Sequence, residues 1–183
     1  MKCRAWPSKP AAGPTPSPVQ LSRVAIIDLE ASSLGSASYP TEIGWAIIND
    51  DGSITSGACL IRPAAKWTTY GNAWSAASER LTGITASMLD RDGVSPREAV
   101  ERFLEAVRDR DLFSDEPDFD RHWLMMLADA AGMSLGERKI GDVRNLLDET
   151  RLSTIEDGGG SPRHRAEADA RRLASALKRK IGD

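Results

Sequence analysis

Val24-Ala25-Ile26-Ile27-Asp28-Leu29-Glu30 most constrains how this chain can fold, because four consecutive apolar residues run directly into two carboxylates spaced i, i+2. The run reads as a buried strand over about residues 23 to 28 with acids at its tip. Side chains on a strand alternate, so Asp28 and Glu30 project from one face, a single pleat apart. Two carboxylates that close raise each other's pKa unless a cation neutralises them. A hard divalent metal with oxygen ligands is the simplest reason for such a pair. A strand ending in a polar turn would look the same locally, so the rest of the chain has to decide.

At 183 residues with 40% hydrophobic content, the chain suits one domain with a full core. No apolar run approaches the ~18 residues needed to span a bilayer, and the N-terminus lacks a signal-peptide core; the cytoplasm is the expected location, with no membrane partner. Cys3 and Cys59 form no CxxC pair, which argues against a structural zinc site. A net charge of −3 argues against a surface coated in basic residues for gripping long duplex nucleic acid. Residues 163–180 are the local exception, with seven Arg or Lys against Glu167 and Asp169. They read either as a solvated helix face or as a basic patch.

Half of the ten prolines fall in residues 1–20, among Ala, Ser, Thr and Gly. Such a segment cannot bury enough apolar surface to offset its ordering entropy, so residues 1–21 are expected to be a mobile tail and residues 22–183 the folded domain. Strands are expected at about 23–28, 42–49 and 53–61, the last two joined by a hairpin turn at Asn49-Asp50-Asp51-Gly52. A helix is expected at about 73–81, ended by Gly83, and another from Ser95-Pro96, with Val100, Phe103, Leu104 and Val107 as its apolar face. A short strand at 111–114 and a helix at 119–131 follow, the helix with Phe119, Trp123, Leu127 and Ala130 as its buried stripe. Residues 140–147 suit either strand or helix. Gly158-Gly159-Gly160 reads as a flexible loop before a last helix that opens at Ser161-Pro162. Three strands in a meander, then alternating helices and strands, imply a mixed sheet with helices packed on it.

The last helix contains a second acidic signal. Its apolar stripe runs Ala166, Ala170, Leu173, Leu177, Ile181, and Asp169 lies on the stripe's edge. An inward-facing acid needs a partner cation. His164 stands at the start of that helix, off Asp169's face but able to lean over the same pocket. Between the two acidic signals, Phe113 to Leu124 is an acid-rich loop entering a helix.

In sequence order, Asp28-x-Glu30, Thr82-Gly83-Ile84-Thr85 with Met88-Leu89, Phe119-Asp120-x-x-Trp123-Leu124 and His164-Arg165-Ala166-x-x-Asp169-Ala170 resemble the DEDDh 3′-to-5′ exonucleases. This is the proofreading-exonuclease superfamily, and the resemblance covers about residues 22–180. It implies an α/β, RNase H-like fold: a mixed five-stranded sheet with helices packed on both faces. It further implies a phosphodiester hydrolase that holds two Mg2+ or Mn2+ ions between Asp28, Glu30, Asp120 and Asp169. His164 would be the general base, an imidazole being suited to take a proton near neutrality. The implied substrate is a single-stranded DNA or RNA 3′ end, with Ala31 and Ser32 near the terminal nucleotide. Arg165, Arg171 and Arg172 would add a positive field for the phosphate backbone.

The chain departs from that pattern at three places. Ala31-Ser32-Ser33-Leu34 replaces the usual Thr-Thr-Gly-Leu, Asp115-Glu116 replaces a His-Asn before the second motif, and Thr82 replaces a His before Gly-Ile-Thr. In the second cluster Asp115 and Asp118 compete with Asp120; Asp118 is expected to precede the helix as its N-cap. Two other functions fit the same residues. One is a catalytically weak nucleic-acid-binding or partner-binding module on this fold; the other is a related nuclease that cuts internally, where a fourth carboxylate would more often stand at His164.

Overall fold

Val24–Ala31 forms β1, the middle strand of a five-stranded sheet completed by β2 (Pro40–Ile48), β3 (Ile54–Leu60), β4 (Asp111–Ser114) and β5 (Ile140–Asp142). The structure is a computed structural model and describes residues 20–69, 74–146 and 164–181. Strand order is β3-β2-β1-β4-β5; β1, β2 and β3 pair antiparallel, and β1, β4 and β5 pair parallel. The mixed sheet inferred from the sequence is therefore present. The hairpin is too: Gly52 takes φ 77°, and its N–H donates to the Asn49 carbonyl.

Among the described residues six helices accompany the sheet: α1 (Ala65–Thr68), α2 (Ala76–Thr82), α3 (Ala86–Asp92), α4 (Pro96–Val107), α5 (Pro117–Ala131) and α6 (Ala166–Ile181). In α4, Ser95 accepts from the Glu98 N–H and Pro96 occupies the first turn, where its missing N–H costs nothing. Ala99, Val100, Phe103 and Val107 are buried against the sheet. They join Ala25, Ile27 and Leu29 of β1 and Trp123, Leu124 and Leu127 of α5 in one core, where Trp45 meets Phe103 edge-on with centroids 6.2 Å apart. On the other face, Val24, Ile26, Ala46 and Ile48 pack against Ala170, Leu173, Ala174 and Leu177 of α6. Alternation along β1 thus sends odd residues to α4 and α5 and even ones to α6, which decides where Asp28 and Glu30 point.

Several expectations need correction. β1 runs on to Ala31 instead of ending at about residue 28, because β2 continues pairing with it as far as Ala31. Trp123 and Leu127 of the expected stripe are buried, but its ends are not: Phe119 is 57% exposed, and the buried face of α5 is completed by Asp120, Leu124, Ala128 and Ala131. Pro117 starts α5 early, so Glu116 is at the N-cap and Asp118 lies inside the first turn, not before it. The short helices α1 and α3 were not expected. Residues 140–147 resolve into β5 and a 3-10 turn at Val143–Leu146, with 147 outside the described residues. Also outside them lie residues 1–19 of the expected tail, Ala73, the Gly158–Gly160 loop and Ser161-Pro162. Leu21, which the tail was expected to include, packs against the α6-side core. Among the described residues, no helix is long and apolar enough to cross a membrane.

Gly44 permits the close approach of α6 to β2. A Cβ built there would lie 2.3 Å from the Ala166 carbonyl carbon and 2.4 Å from the Glu167 nitrogen, both backbone atoms. Gly44→Ala must push the helix off the sheet, and overpacking of this kind costs about 1–3 kcal/mol or more. A fall in thermal midpoint is the expected outcome; an unchanged melting curve would show the contact to be compliant.

Candidate functional site

The even face of β1 presents Asp28 and Glu30 toward the start of α6, and β4, parallel to β1, ends at Ser114 so that Asp115 emerges beside them. β1 pairs with β4 only over Val24–Ile26. Beyond that point Asp120 takes over: its Oδ1 accepts the Leu29 N–H at 2.8 Å, fastening the first turn of α5 to β1. Asp120 is 3% exposed, and this bond together with one from Ser114 satisfies its buried carboxylate.

On the α6 side, the His164 N–H donates to the Leu81 carbonyl at the end of α2. Its Nδ1 lies 3.8 Å from Oδ2 of Asp169, which also accepts the Arg165 N–H at 3.2 Å. The second oxygen of Asp169 faces Arg172 at 3.3 Å. Possible ligand atoms fall into two groups, each lying within 4.8 Å: Glu30, His164 and Asp169, and Asp28, Asp115 and Asp120. All six line one cleft of about 530 Å³. That volume suits a nucleotide-sized ligand. The five side chains that the sequence nominated for the catalytic set, Asp28, Glu30, Asp120, Asp169 and His164, are thus brought together, with Asp115 beside them.

Three exposed apolar side chains, Leu34, Leu81 and Phe119, share the cleft with these polar groups. Ala31 lines it as well. Ser32 is buried, and its hydroxyl accepts the Tyr39 N–H, which shapes the loop that leaves β1. Arg165 is turned away from the substrate position expected of it. Its Nε and Nη2 bind Glu42 at 3.0 and 2.5 Å, and it does not line the cleft.

Sequence reasoning missed Glu42. It is 2% exposed, faces Glu30 across the β1–β2 pair, and also accepts the Ala166 N–H at 2.9 Å. Together with Gly44 it seats the start of α6, and hence Asp169, over the sheet. The available signal was a lone acid at i and a glycine at i+2 opening an otherwise apolar strand; a buried acid there requires a basic partner.

The crowding of acids has an electrostatic consequence. Burial, then Asp120 and Glu30, push the Asp28 carboxyl well above its ordinary range. Glu30 is pushed up to about 7, by burial first and then by Glu42. Asp120 is raised to about 7 by burial, although its bonds from Ser114 and Leu29 pull the other way. The donor set is therefore hard, oxygen-rich and short of positive charge, which fits a divalent cation of the Mg2+ or Mn2+ type. These acids bind more protons folded than unfolded between their ordinary values and about 7, so stability should fall as pH rises through that window. Asp142, lowered by Arg144, works in the opposite sense only at more acid pH. In EDTA, the thermal midpoint should be higher at about pH 5 than at about pH 8, and Mg2+ should recover much of the difference at the higher pH. A midpoint that rose with pH in EDTA would contradict the unneutralised-acid description.

No known protein-family profile matches the sequence. No curated protein matches it either. Solved structures do. E. coli exonuclease I in complex with a dT13 oligonucleotide superposes with a TM-score of 0.63 at 13% identity, over 85% of this chain and 40% of that one. The zinc-bound E. coli exonuclease I–ssDNA complex gives 0.62 at 15%, over 85% and 39%. Exonuclease X in complex with 5′ overhanging duplex DNA gives 0.55 at 17%, over 87% and 91%. The chain has the RNase H-like fold of these exonucleases. It spans about 40% of the length of exonuclease I and corresponds to nearly all of the exonuclease X chain.

Proposed function

We propose that the protein is a metal-dependent 3′-to-5′ exonuclease that hydrolyses phosphodiester bonds at single-stranded nucleic-acid 3′ ends and releases nucleoside 5′-monophosphates, with residues 22–183 as the catalytic unit. The observation that carries this reading is the convergence of Asp28, Glu30, Asp120, Asp169 and His164 on one cleft. The fold shared with exonucleases I and X, both crystallised with DNA, supports it.

Asp28, Glu30, Asp120 and Asp169 would hold two Mg2+ or Mn2+ ions, which when bound lower the pKa of water and stabilise the leaving 3′ oxygen. His164, half-exposed at the mouth, accepts the proton of the attacking water through its imidazole. Leu34, Leu81 and Phe119 offer an apolar surface to the terminal base, and Ala31 at the end of β1 would meet the nucleotide, with buried Ser32 shaping the loop behind it. The cleft combines acidic and apolar lining residues, as a nucleotide with its metal-bound phosphate requires.

Purified protein incubated with 5′-labelled single-stranded DNA and RNA, in Mg2+, Mn2+ or EDTA, tests the reading. A ladder that shortens from the 3′ end only with metal is the expected result; binding without cleavage would favour a non-catalytic module, and internal cuts an endonuclease. His164→Ala should slow turnover roughly 10²-fold, since a general base contributes about 10² to 10⁴. Metal affinity by calorimetry should be kept. Because His164 groups with Glu30 and Asp169, lost affinity in that variant would make it a ligand instead of a base.

A further inference from the structure

Three arginines of the last motif were candidates for the phosphate backbone, and the structure separates them. Arg165 is held by Glu42. Arg171 donates to Ser56 on β3. Only Arg172 lines the cleft, where it is the sole Arg or Lys among the described lining residues and faces Asp28, Glu30, Asp115, Glu116, Asp120 and Asp169. Arg172 sits one turn beyond Asp169 and reaches back to it, with both its Nε and its Nη2 at 3.3 Å from the same oxygen, Oδ1. Those contacts are at the long end of hydrogen bonding, and the Arg172 side chain keeps 31% exposure, so the guanidinium is loosely seated there.

We propose that Arg172 is the resident counter-ion of Asp169 in the metal-free cleft and the phosphodiester-binding residue of the occupied one. The proposal rests on the nuclease reading above. A divalent cation held by either oxygen of Asp169 would stand close to the Arg172 guanidinium at Oδ1, and the two cations repel. Arg172 therefore competes with metal for Asp169. Once displaced from Oδ1, its guanidinium remains in the cleft with its donors free, and phosphate oxygens are the acceptors its planar fork matches best. One side chain thereby opposes metal binding and favours binding of the strand.

That pair of opposite effects is what a purely structural arginine would not produce. Arg172→Met, which keeps the apolar stem, should bind Mn2+ several-fold more tightly by calorimetry and bind a single-stranded oligonucleotide in Ca2+ roughly tenfold more weakly by fluorescence anisotropy. Arg172→Lys, retaining the charge, should keep most of the oligonucleotide affinity. Unchanged or weaker Mn2+ binding in Arg172→Met overturns the counter-ion role. Unchanged oligonucleotide binding, while the wild type binds and cleaves, overturns the phosphate role and leaves the nuclease reading intact. A wild type that binds no oligonucleotide in any metal overturns the nuclease reading and the phosphate role together.

Discussion

Asp28→Asn and Glu30→Gln should each lower cleavage by several orders of magnitude while leaving the metal-free protein at least as stable as the wild type. In the proposed reaction catalysis is lost because each substitution removes a carboxylate that would hold a metal, and with it the metal-held water and stabilised leaving group. Stability moves the other way. Burial and neighbouring acids hold both carboxyls above their ordinary pKa values, Glu30 at about 7, so above neutral pH each ionised group is a liability that the amide does not share. A protein of this size gains about 2–4 °C in Tm per kcal/mol, so relief of even part of that strain is visible in a melting curve. Melts in EDTA at about pH 8 make the comparison. A sharp drop in Tm for both amides would mean that these acids hold the fold together, and the metal reading would be lost. Asp169→Asn should also abolish cleavage but without the gain in stability, since Asp169 already has Arg172 and the Arg165 N–H as partners.

Asp120 separates two roles that the other acids do not combine. Asp120→Asn keeps an oxygen to accept the Leu29 N–H and should fold normally yet fail to cleave. Asp120→Ala removes that acceptor, leaves a buried N–H unpaired and should cost about 1–3 kcal/mol in addition to activity. Asp115→Ala should retain measurable turnover. Asp118, exposed in the first turn of α5, should change stability by no more than the ~0.3–1 kcal/mol of a favourable helix-dipole charge. The comparison is demanding because Asp28, Asp115 and Asp120 have ligand atoms within 4.8 Å of one another. Full activity in Asp120→Asn beside an inactive Asp115→Ala would move the fourth ligand from the helix to the end of β4.

What could be read in advance depended on how local the determinant was. The apolar run into Asp28-x-Glu30 announced β1 because strand alternation is a property of neighbouring residues, and the face it assigned to both acids is the face on which α6 lies. Asp169 was legible from helical spacing, at the edge of the apolar stripe, and His164 from its place at the start of the same helix and from the family resemblance. Asp120 came out at the cleft although the stripe drawn beside it began at Phe119, which is exposed; the bond from the Leu29 N–H buries Asp120 instead. The continuation of β1 past residue 28 was invisible because it is dictated by pairing with β2, 12 residues away between Glu30 and its partner Glu42. Glu42 itself escaped notice for the same reason: its partner Arg165 is 123 positions further on.

That separation bears on how the protein acquires its site in time. Before α6 arrives, Glu42 and Glu30 sit side by side on an open sheet, an acidic strip with water as its only counterweight. Closing a loop of this length is entropically slow, and contacts so distant in sequence belong to the later stages of folding. Once the chain beyond Ala166 reaches β2, Glu42 is sealed by Arg165, Gly44 admits the helix backbone, and Asp169 meets the other acids in the same event. The cluster of Asp28, Asp115 and Asp120 needs only β1, β4 and α5, so the docking of α6 adds the second cluster, Glu30, His164 and Asp169, beside one that is already in place.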